Sequence, residues 1–392
     1  MSGSRPRNVG KVVFYTRLAY MDSAVGLLKA LSDRVEVHLI LELPPEGRMG
    51  PLGGIESDLP LGVVAGNLDW TLPAVRERLE GLASFHFAVF TSARAFHPSN
   101  VVVCLKLARL LRKIGPDVVH FDDVTSRGLA LLYLGPRARV VLSIHDPQAR
   151  VGEPLRRVQA VRRRFIRRAS ALLFRSRYAA ETLAASAPET ERKARAAVPL
   201  GVFDVFADGC PPRAEQPRTV LFFGQISHYK GIDTLTAAAP AVAQRVRGLR
   251  VVIAGRPGAG YEFRHPPPLP NEGEWDVVLG HVSVERLCEL FREAALVVVP
   301  YVEASQSGVI STAFAFHTPV VGSAVGGIPE VVEDGVEGAL FEPGDAEGLA
   351  RRLTELLSDA DARAAMRARI AEKQRGELSW DRLAEMTLDV YE

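Results

Sequence analysis

Short β-branched runs alternate with longer amphipathic stretches along most of this chain, and that rhythm limits the fold more than any other feature. "KVVFYT" (Lys11–Thr16) precedes "MDSAVGLLKALSD" (Met21–Asp33), whose apolar spacing predicts a helix, and "VEVHLIL" (Val35–Leu41) follows. "DVVHFD" (Asp117–Asp122), "RVVLSIHD" (Arg139–Asp146) and "ALLFRS" (Ala171–Ser176) continue the series. Strands separated by helices imply βαβ units on a parallel sheet. The rhythm breaks at "DGCPPRAEQPR" (Asp208–Arg218). It restarts with "TVLFFG" (Thr219–Gly224), "LRVVIAG" (Leu249–Gly255), "WDVVLG" (Trp275–Gly280), "LVVVP" (Leu296–Pro300) and "PVVGS" (Pro319–Ser323). The fold class is therefore α/β, with two doubly wound, Rossmann-like halves in succession. Ligands of such sheets bind beyond the carboxyl ends of the strands, so with two halves a cleft between them is the expected place. Two Gly/Pro-rich segments, Glu42–Asn67 and Gly255–Gly273, read as a mobile loop or small insertion and as a second loop.

Composition narrows the function classes. The 392 residues carry a formal charge of +2 with 24% charged residues, a balance that argues against nucleic acid as a partner. Three cysteines (Cys104, Cys210, Cys288) lie far apart without a CxxC, a pattern that predicts neither a disulfide framework nor a zinc site and suits a reducing cytosol. The first twenty residues lack the apolar core of a signal peptide, and no run is long and apolar enough to span a bilayer. A soluble, cytoplasmic protein is the expectation.

Three loops of the second half share one chemistry. In "FFGQISHYKGID" (Phe222–Asp233), Gly224 ends a strand and admits a close backbone approach, and Lys230 brings a flexible charge suited to phosphate. In "EASQSGVISTAFAFHTP" (Glu303–Pro319), Ser307, Gly308 and Val309 are expected in the first turn of a helix. There, free N–H groups and the macrodipole favour an anion although no Lys or Arg lies within the stretch, and Lys230 adds charge from the neighbouring loop. A Ser-capped core helix is the plain alternative. In "GSAVGGIPEVVEDGVEGALFEPGD" (Gly322–Asp345), Pro329 suits a first helical turn, and Glu330 is placed either to cap it or to meet ligand hydroxyls.

The ordered set "FFGQISHYKGIDTL", "VVVPYVEASQSGVISTAFAFHTPVV", "GGIPEVVEDGVEGALFEPGD" and "LSWDRLAEMTLDVYE" (Leu378–Glu392) closely resembles glycosyltransferase family 4. The resemblance implies a GT-B fold and retaining transfer from a nucleoside-diphosphate sugar without a metal or other required cofactor. It also implies that Lys230 and the Ser307–Val309 turn hold the donor diphosphate and that the last helix crosses back to the first half. Domains are expected at 1–207, 208–374 and 375–392. On the donor side the chain departs from the family in three places. Gln225 stands where an Arg usually pairs with the Lys, and the paired glutamates of the family's EX7E motif fall on Ala304 and Thr312, with Glu303 one place before the first. Charge-assisted donor contacts are thereby fewer.

In the first half, the resemblance makes His145 a donor-sugar contact at a strand's carboxyl end, with Asp146 beside it and Arg150 where many relatives carry a second His. Asp22 and Ser23 stand in the loop where relatives place a glycine pair, Asp22 reading first as a helix cap and second as an acceptor from a sugar hydroxyl. His120 and the pair Asp122–Asp123 end another strand and are acceptor-side candidates. The acceptor is expected to be a glycan, a lipid-linked molecule or a small molecule. No carboxylate pair of the glycosidase kind is evident, so Lys230 and the helix amides are the candidates for stabilising the leaving diphosphate. The stretch Glu153–Arg177 holds nine arginines. It reads as a solvated crossover helix or, over Arg156–Arg168, as a basic face for anionic lipid at the inner face of the cell membrane. The departures leave a catalytically silent scaffold that binds or serves a partner as the alternative, and a sugar-nucleotide epimerase as a weaker one.

Overall fold

Both sheets foreseen from the apolar runs form. A computed structural model of the chain describes residues 9–45, 49–50, 52–55, 59–92, 97–147, 155–258 and 260–392. Met1–Pro199 together with Trp380–Glu392 make up one unit and Leu200–Ser379 the other. The junctions thus fall at 199/200 and 379/380, against the expected 207/208 and 374/375.

The first unit contains β1 (Lys11–Arg17), β2 (Glu36–Leu43), the short pair β3 (Met49–Gly50) and β4 (Gly53–Gly54), β5 (Gly62–Ala65), β6 (Ser84–Val89), β7 (Val118–Asp122), β8 (Arg139–Ile144), β9 (Ala171–Phe174) and β10 (Ala194–Ala197). Its helices are α1 (Met21–Ser32), α2 (Pro73–Leu79), α3 (Pro98–Ile114), α4 (Leu131–Leu134), α5 (Leu155–Arg168) and α6 (Arg177–Ser186). The main sheet has the order β10-β9-β8-β7-β1-β2-β6-β5 and is parallel except for β5, which pairs antiparallel with β6. Part of the segment read as a loop therefore forms a sheet edge. Helices cover the sheet through spaced apolar residues: Val103, Leu107 and Leu111 of α3, four apart, are all buried. Gly115, at φ +64°, ends that helix in a left-handed conformation. In α5, Phe165 and Ile166 face the core as the spacing predicts. Arg162 turns inward, however, donating to the backbone oxygens of Pro147 (2.6 Å) and Asp146 (2.8 Å), which narrows the basic face.

The second unit contains β11 (Gln216–Phe223), β12 (Arg250–Gly255), β13 (Glu274–Leu279), β14 (Ala294–Val299), β15 (Val320–Ser323) and β16 (Gly338–Phe341), with α7 (Ile232–Arg245), α8 (Val284–Glu293), α9 (Gly308–Ala315), α10 (Ala346–Ser358) and α11 (Ala360–Arg375). The sheet runs β13-β12-β11-β14-β15-β16 with every pairing parallel. Counted within the unit this is 3-2-1-4-5-6, the order of dinucleotide-binding sheets, whose switch point lies between β11 and β14. All six residues of β14 are buried, as expected for a central parallel strand covered on both faces. Each of its valines contributes about 1.5–3 kcal/mol by leaving water.

The last helix, α12 (Trp380–Tyr391), packs in the first unit. A methyl group on Gly26 of α1 would overlap the Trp380 indole, and Leu383 clusters with Leu173 and Val198. One expectation fails in the second unit. Cys210 and Cys288 form a disulfide, Cα atoms 5.8 Å apart across 78 residues of sequence. Their separation concealed a contact that folding creates, while Cys104 is free and buried.

Candidate functional site

The loops after β11 and β14 flank the switch point of the second sheet and are locked together. Gly231, at φ +69°, lies so close to Pro300 that a Cβ would fall 1.6 Å from the Pro300 carbonyl oxygen, and the Val302 amide donates to Tyr229 O at 2.9 Å. This register sets the Lys230 ammonium over the Tyr301 ring, 3.7 Å from its centroid, and 5.3 Å from that of Tyr229. Lys230 has no carboxylate partner among the described residues. Tyr301 is 1% exposed, and its hydroxyl lies 3.2 Å from Ser307 Oγ. Ser307 proves to be the N-cap of α9 rather than part of its first turn. The Ile310 and Ser311 amides turn back to Ser307 O, which leaves those of Gly308 and Val309 as the open donors of the helix end. Gly224 adjoins them: a Cβ there would sit 3.5 Å from Val309 Cγ2. Lys230, Gly224 and the Ser307–Val309 turn are thus brought together.

The third loop joins them through the Gly327 amide, which donates to Ala304 O at 3.3 Å. Glu330 lies half-buried in a single 3-10 turn, Ile328–Glu330, in place of a full helix. Glu303 and Gln225 are exposed, Gln225 Oε1 accepting from the Tyr229 hydroxyl at 3.1 Å. Thr312 is buried, and its hydroxyl donates to Gly308 O at 2.9 Å. Its proton is spent inside the helix, so toward a ligand this hydroxyl could act only as an acceptor. Ser227 Oγ, Gln306 Oε1 and Ser323 Oγ, one on each of these loops, are buried without a hydrogen-bond partner. Buried polar atoms are normally paired, so each marks a place where a polar ligand or water would complete the structure.

In the first unit the ends of β1, β7 and β8 meet around Asp122. Its carboxylate accepts from Thr16 Oγ1 (2.9 Å) and Arg175 (3.1 Å) and pairs with His145 Nε2 (2.8 Å). Burial alone would raise this carboxyl, but the charges of His145 and Arg175 prevail and hold it well below the usual carboxylate range. His145 is 2% exposed and stacks on Tyr20, ring centroids 4.3 Å apart and planes at 6°. The Tyr20 hydroxyl donates to Asp123 Oδ2 at 2.7 Å. Two expected rim groups are interior instead. His120 is fully buried between Tyr391 Oη and Ser143 Oγ, both at 2.7 Å, and burial pushes its imidazole down to about 3. Asp122 is likewise enclosed; both are consumed by packing at a strand end. Asp22 does not cap α1; half-buried within the first turn, it accepts from the Ser23 amide at 2.8 Å, and burial pushes its carboxyl up to about 6. Ser23 is buried, with its hydroxyl donating to Tyr20 O at 2.9 Å. Asp146 is half-buried. Arg150 lies outside the described residues.

Sequence reasoning missed Tyr301, Tyr20 and Arg175, which act through spatial neighbours. For the two tyrosines the local signal was an aromatic beside each site loop; Arg175 had none. Among the described residues no cluster of three or more His, Cys, Asp or Glu is placed to hold a metal ion, and no helix is long and apolar enough to cross a membrane.

Known proteins resemble this chain in both halves. The family profile "Glycosyltransferase Family 4" matches residues 23–196, and "Glycosyl transferases group 1" matches residues 217–359. A D-inositol 3-phosphate glycosyltransferase of Xylanimonas cellulosilytica is 38% identical over 177 residues, 44% of this chain and 41% of the relative. The uncharacterized glycosyltransferase MJ1607 of Methanocaldococcus jannaschii is 30% identical over 178 residues, 45% of each. The match spans less than half the length of such relatives. Among solved structures, Anabaena Alr3699/HepE in complex with UDP and glucose superposes with a TM-score of 0.66 at 14% identity, covering 97% of this chain and 98% of that one. Sucrose-phosphate synthase from Thermosynechococcus elongatus gives 0.65 at 17%, with the same coverage. At such identities these likenesses speak to the fold alone, which is GT-B.

Proposed function

The chain belongs to glycosyltransferase family 4, and from that premise we propose that it moves a sugar from a nucleoside diphosphate to an acceptor hydroxyl. One observation carries the reading: an ammonium without a carboxylate partner and two open helix amides are gathered at the switch point of the second sheet. A diphosphate placed there would meet charge from Lys230 and dipoles from Gly308 and Val309, with Gly224 leaving room for its approach. As the bond to the sugar lengthens, negative charge grows on the leaving phosphate, and fixed donors aimed at it lower the barrier without reorganising. Gln225, Glu303 and Glu330 are the remaining donor-side candidates, with Thr312 limited to accepting. HepE is described in complex with UDP and glucose, which makes UDP the first nucleotide to try.

In the first unit, His145 is the proposed sugar contact, held by Asp122 and covered by the Tyr20 ring, which must give way for a sugar to reach it. Asp22, Ser23 and Asp146 are the proposed acceptor-side groups. Retention of configuration, with the leaving diphosphate taking the acceptor proton, is part of the proposal, as is independence from metal. Relatives named for D-inositol 3-phosphate make small phosphorylated polyols the first acceptors to test.

The test is calorimetric titration of UDP, GDP and ADP into the wild-type chain and Lys230→Ala, followed by hydrolysis and transfer assays with the matching sugar nucleotide. Wild type is expected to bind one diphosphate at least tenfold more tightly than K230A, since a charge-assisted contact is worth about 1.5–3 kcal/mol. Binding without turnover on any acceptor, even with EDTA-treated and metal-supplemented protein, would favour the silent scaffold suggested by Gln225, Ala304 and Thr312. No binding at all would refute the donor site.

A further inference from the structure

We propose that Tyr301 is the positioning residue of the diphosphate site: its ring seats the Lys230 ammonium, and its hydroxyl keeps Ser307 from capping α9. The inference rests on the donor reading above and assigns the site a part that the family motifs do not carry in this chain.

A lysine side chain is a strongly hydrated charge on a flexible four-carbon stem, and fixing it costs conformational entropy. A carboxylate could fix it but would cancel the charge that a phosphate needs. An aromatic face holds a cation without neutralising it. Tyr301 offers such a face at 3.7 Å, and it is itself immobile, almost wholly buried at the end of the central strand β14. Its height relative to Lys230 is set by the backbone, through the Val302–Tyr229 hydrogen bond and the contact of Gly231 with Pro300.

The hydroxyl has a separate task. A serine at an N-cap ordinarily accepts a hydrogen bond from the second or third amide of its helix. Ser176 and Ser283 do so in this protein, bonding Ala179 N at 3.0 Å and Arg286 N at 3.3 Å. Ser307 has the extended backbone of a cap, φ −143° and ψ 111°, yet makes no such bond. Its hydroxyl donates instead to Tyr301 Oη at 3.2 Å. The bond to Tyr301 holds the Ser307 side chain in a rotamer that makes no cap bond, so the amide of Val309 stays open to an incoming anion. Tyr301 therefore prepares both halves of the anion site, the cation by its ring and the amides by its hydroxyl.

The experiment is a set of four variants, Y301F, Y301L, S307A and Y301F/S307A, titrated calorimetrically with UDP and with inorganic pyrophosphate, which reports the phosphate pocket without a base. Y301L removes the aromatic face and is expected to weaken both probes by about 3- to 30-fold. Y301F keeps the face but frees Ser307 to cap, weakening both by about fivefold. In the S307A background the same Tyr-to-Phe change is expected to cost less than about twofold, because no hydroxyl remains to be freed. A merely structural role would not produce that background dependence, and the unliganded melting temperature of Y301F serves as the folding control. Equal losses from Y301F in both backgrounds, or wild-type affinity in Y301L, overturn the proposal and leave the donor site standing. A wild-type chain that binds neither UDP nor pyrophosphate overturns the donor reading, and this assignment with it.

Discussion

Replacing Asp122 by Asn probes how the first unit holds its strand ends together. The carboxylate is enclosed and contacts Thr16, His145 and Arg175. Asparagine keeps the shape and one acceptor but leaves the Arg175 guanidinium, itself 4% exposed, without a counter-charge. Breaking a buried ion pair from one side costs about 3–5 kcal/mol. The lower end, about 3 kcal/mol, is expected here because the amide oxygen can still accept one bond. With a slope of roughly 2–3 kcal/mol per molar urea for a unit of this size, the midpoint should fall by about 1 M or somewhat more. Tryptophan emission can report it: of the three tryptophans, Trp70 and Trp380 belong to the first unit and Trp275 to the second. A Trp275→Phe background therefore isolates the relevant transition. The pH dependence supplies a second check. The Asp122 carboxyl is held below its ordinary value, so its contribution is complete above the unfolded carboxylate range, near pH 4, and is lost as pH falls further toward the folded value. The gap between wild type and D122N should hence be full at pH 7 and narrow below about pH 4. A cost under about 1 kcal/mol at pH 7, or a gap unchanged between pH 7 and 3, would refute this account.

Two further outcomes are expected. Asp22, raised to about 6 mainly by burial, binds its proton more tightly folded than unfolded, so the native state loses stability as pH climbs from the unfolded value through 6. Asp22→Asn should therefore stabilise the protein at pH 8 by about 1–3 kcal/mol and by little below pH 4, read from denaturation midpoints at each pH. The Cys210–Cys288 bond closes a loop of 78 residues, so reduction or Cys288→Ser should cost about 2–4 kcal/mol in the second unit, and alkylation of the unreduced, denatured chain should label Cys104 alone.

The site divides along the same line as the fold. Lys230, Gly224 and the Ser307–Val309 turn were legible because each belongs to a short run: strand, small residue, helix start. Their convergence also followed, since loops after adjacent parallel strands must lie side by side. His120 and Asp122 misled for the converse reason. They occupy the strand-end positions where ligands bind, and only the surroundings show that Tyr391 and Ser143 enclose the one, and Arg175 and Thr16 the other. Arg162 misled in the same way, reading as solvated yet bonded to two carbonyl groups inside.

By itself the sequence determined the α/β class, the restart after residue 208 and most strands, because apolar period and turn chemistry are carried by neighbours in the chain. It also placed the phosphate-directed loops in order. The tertiary structure alone decided that β5 closes an edge, that Cys210 meets Cys288, that Trp380 fills the space above Gly26, and that Tyr301 rather than an acidic residue seats Lys230. Those are pairings between residues far apart in the chain. Periodicity says which face of an element is buried, but the partner that covers it is chosen by packing volume and by the need of each buried polar group for a mate.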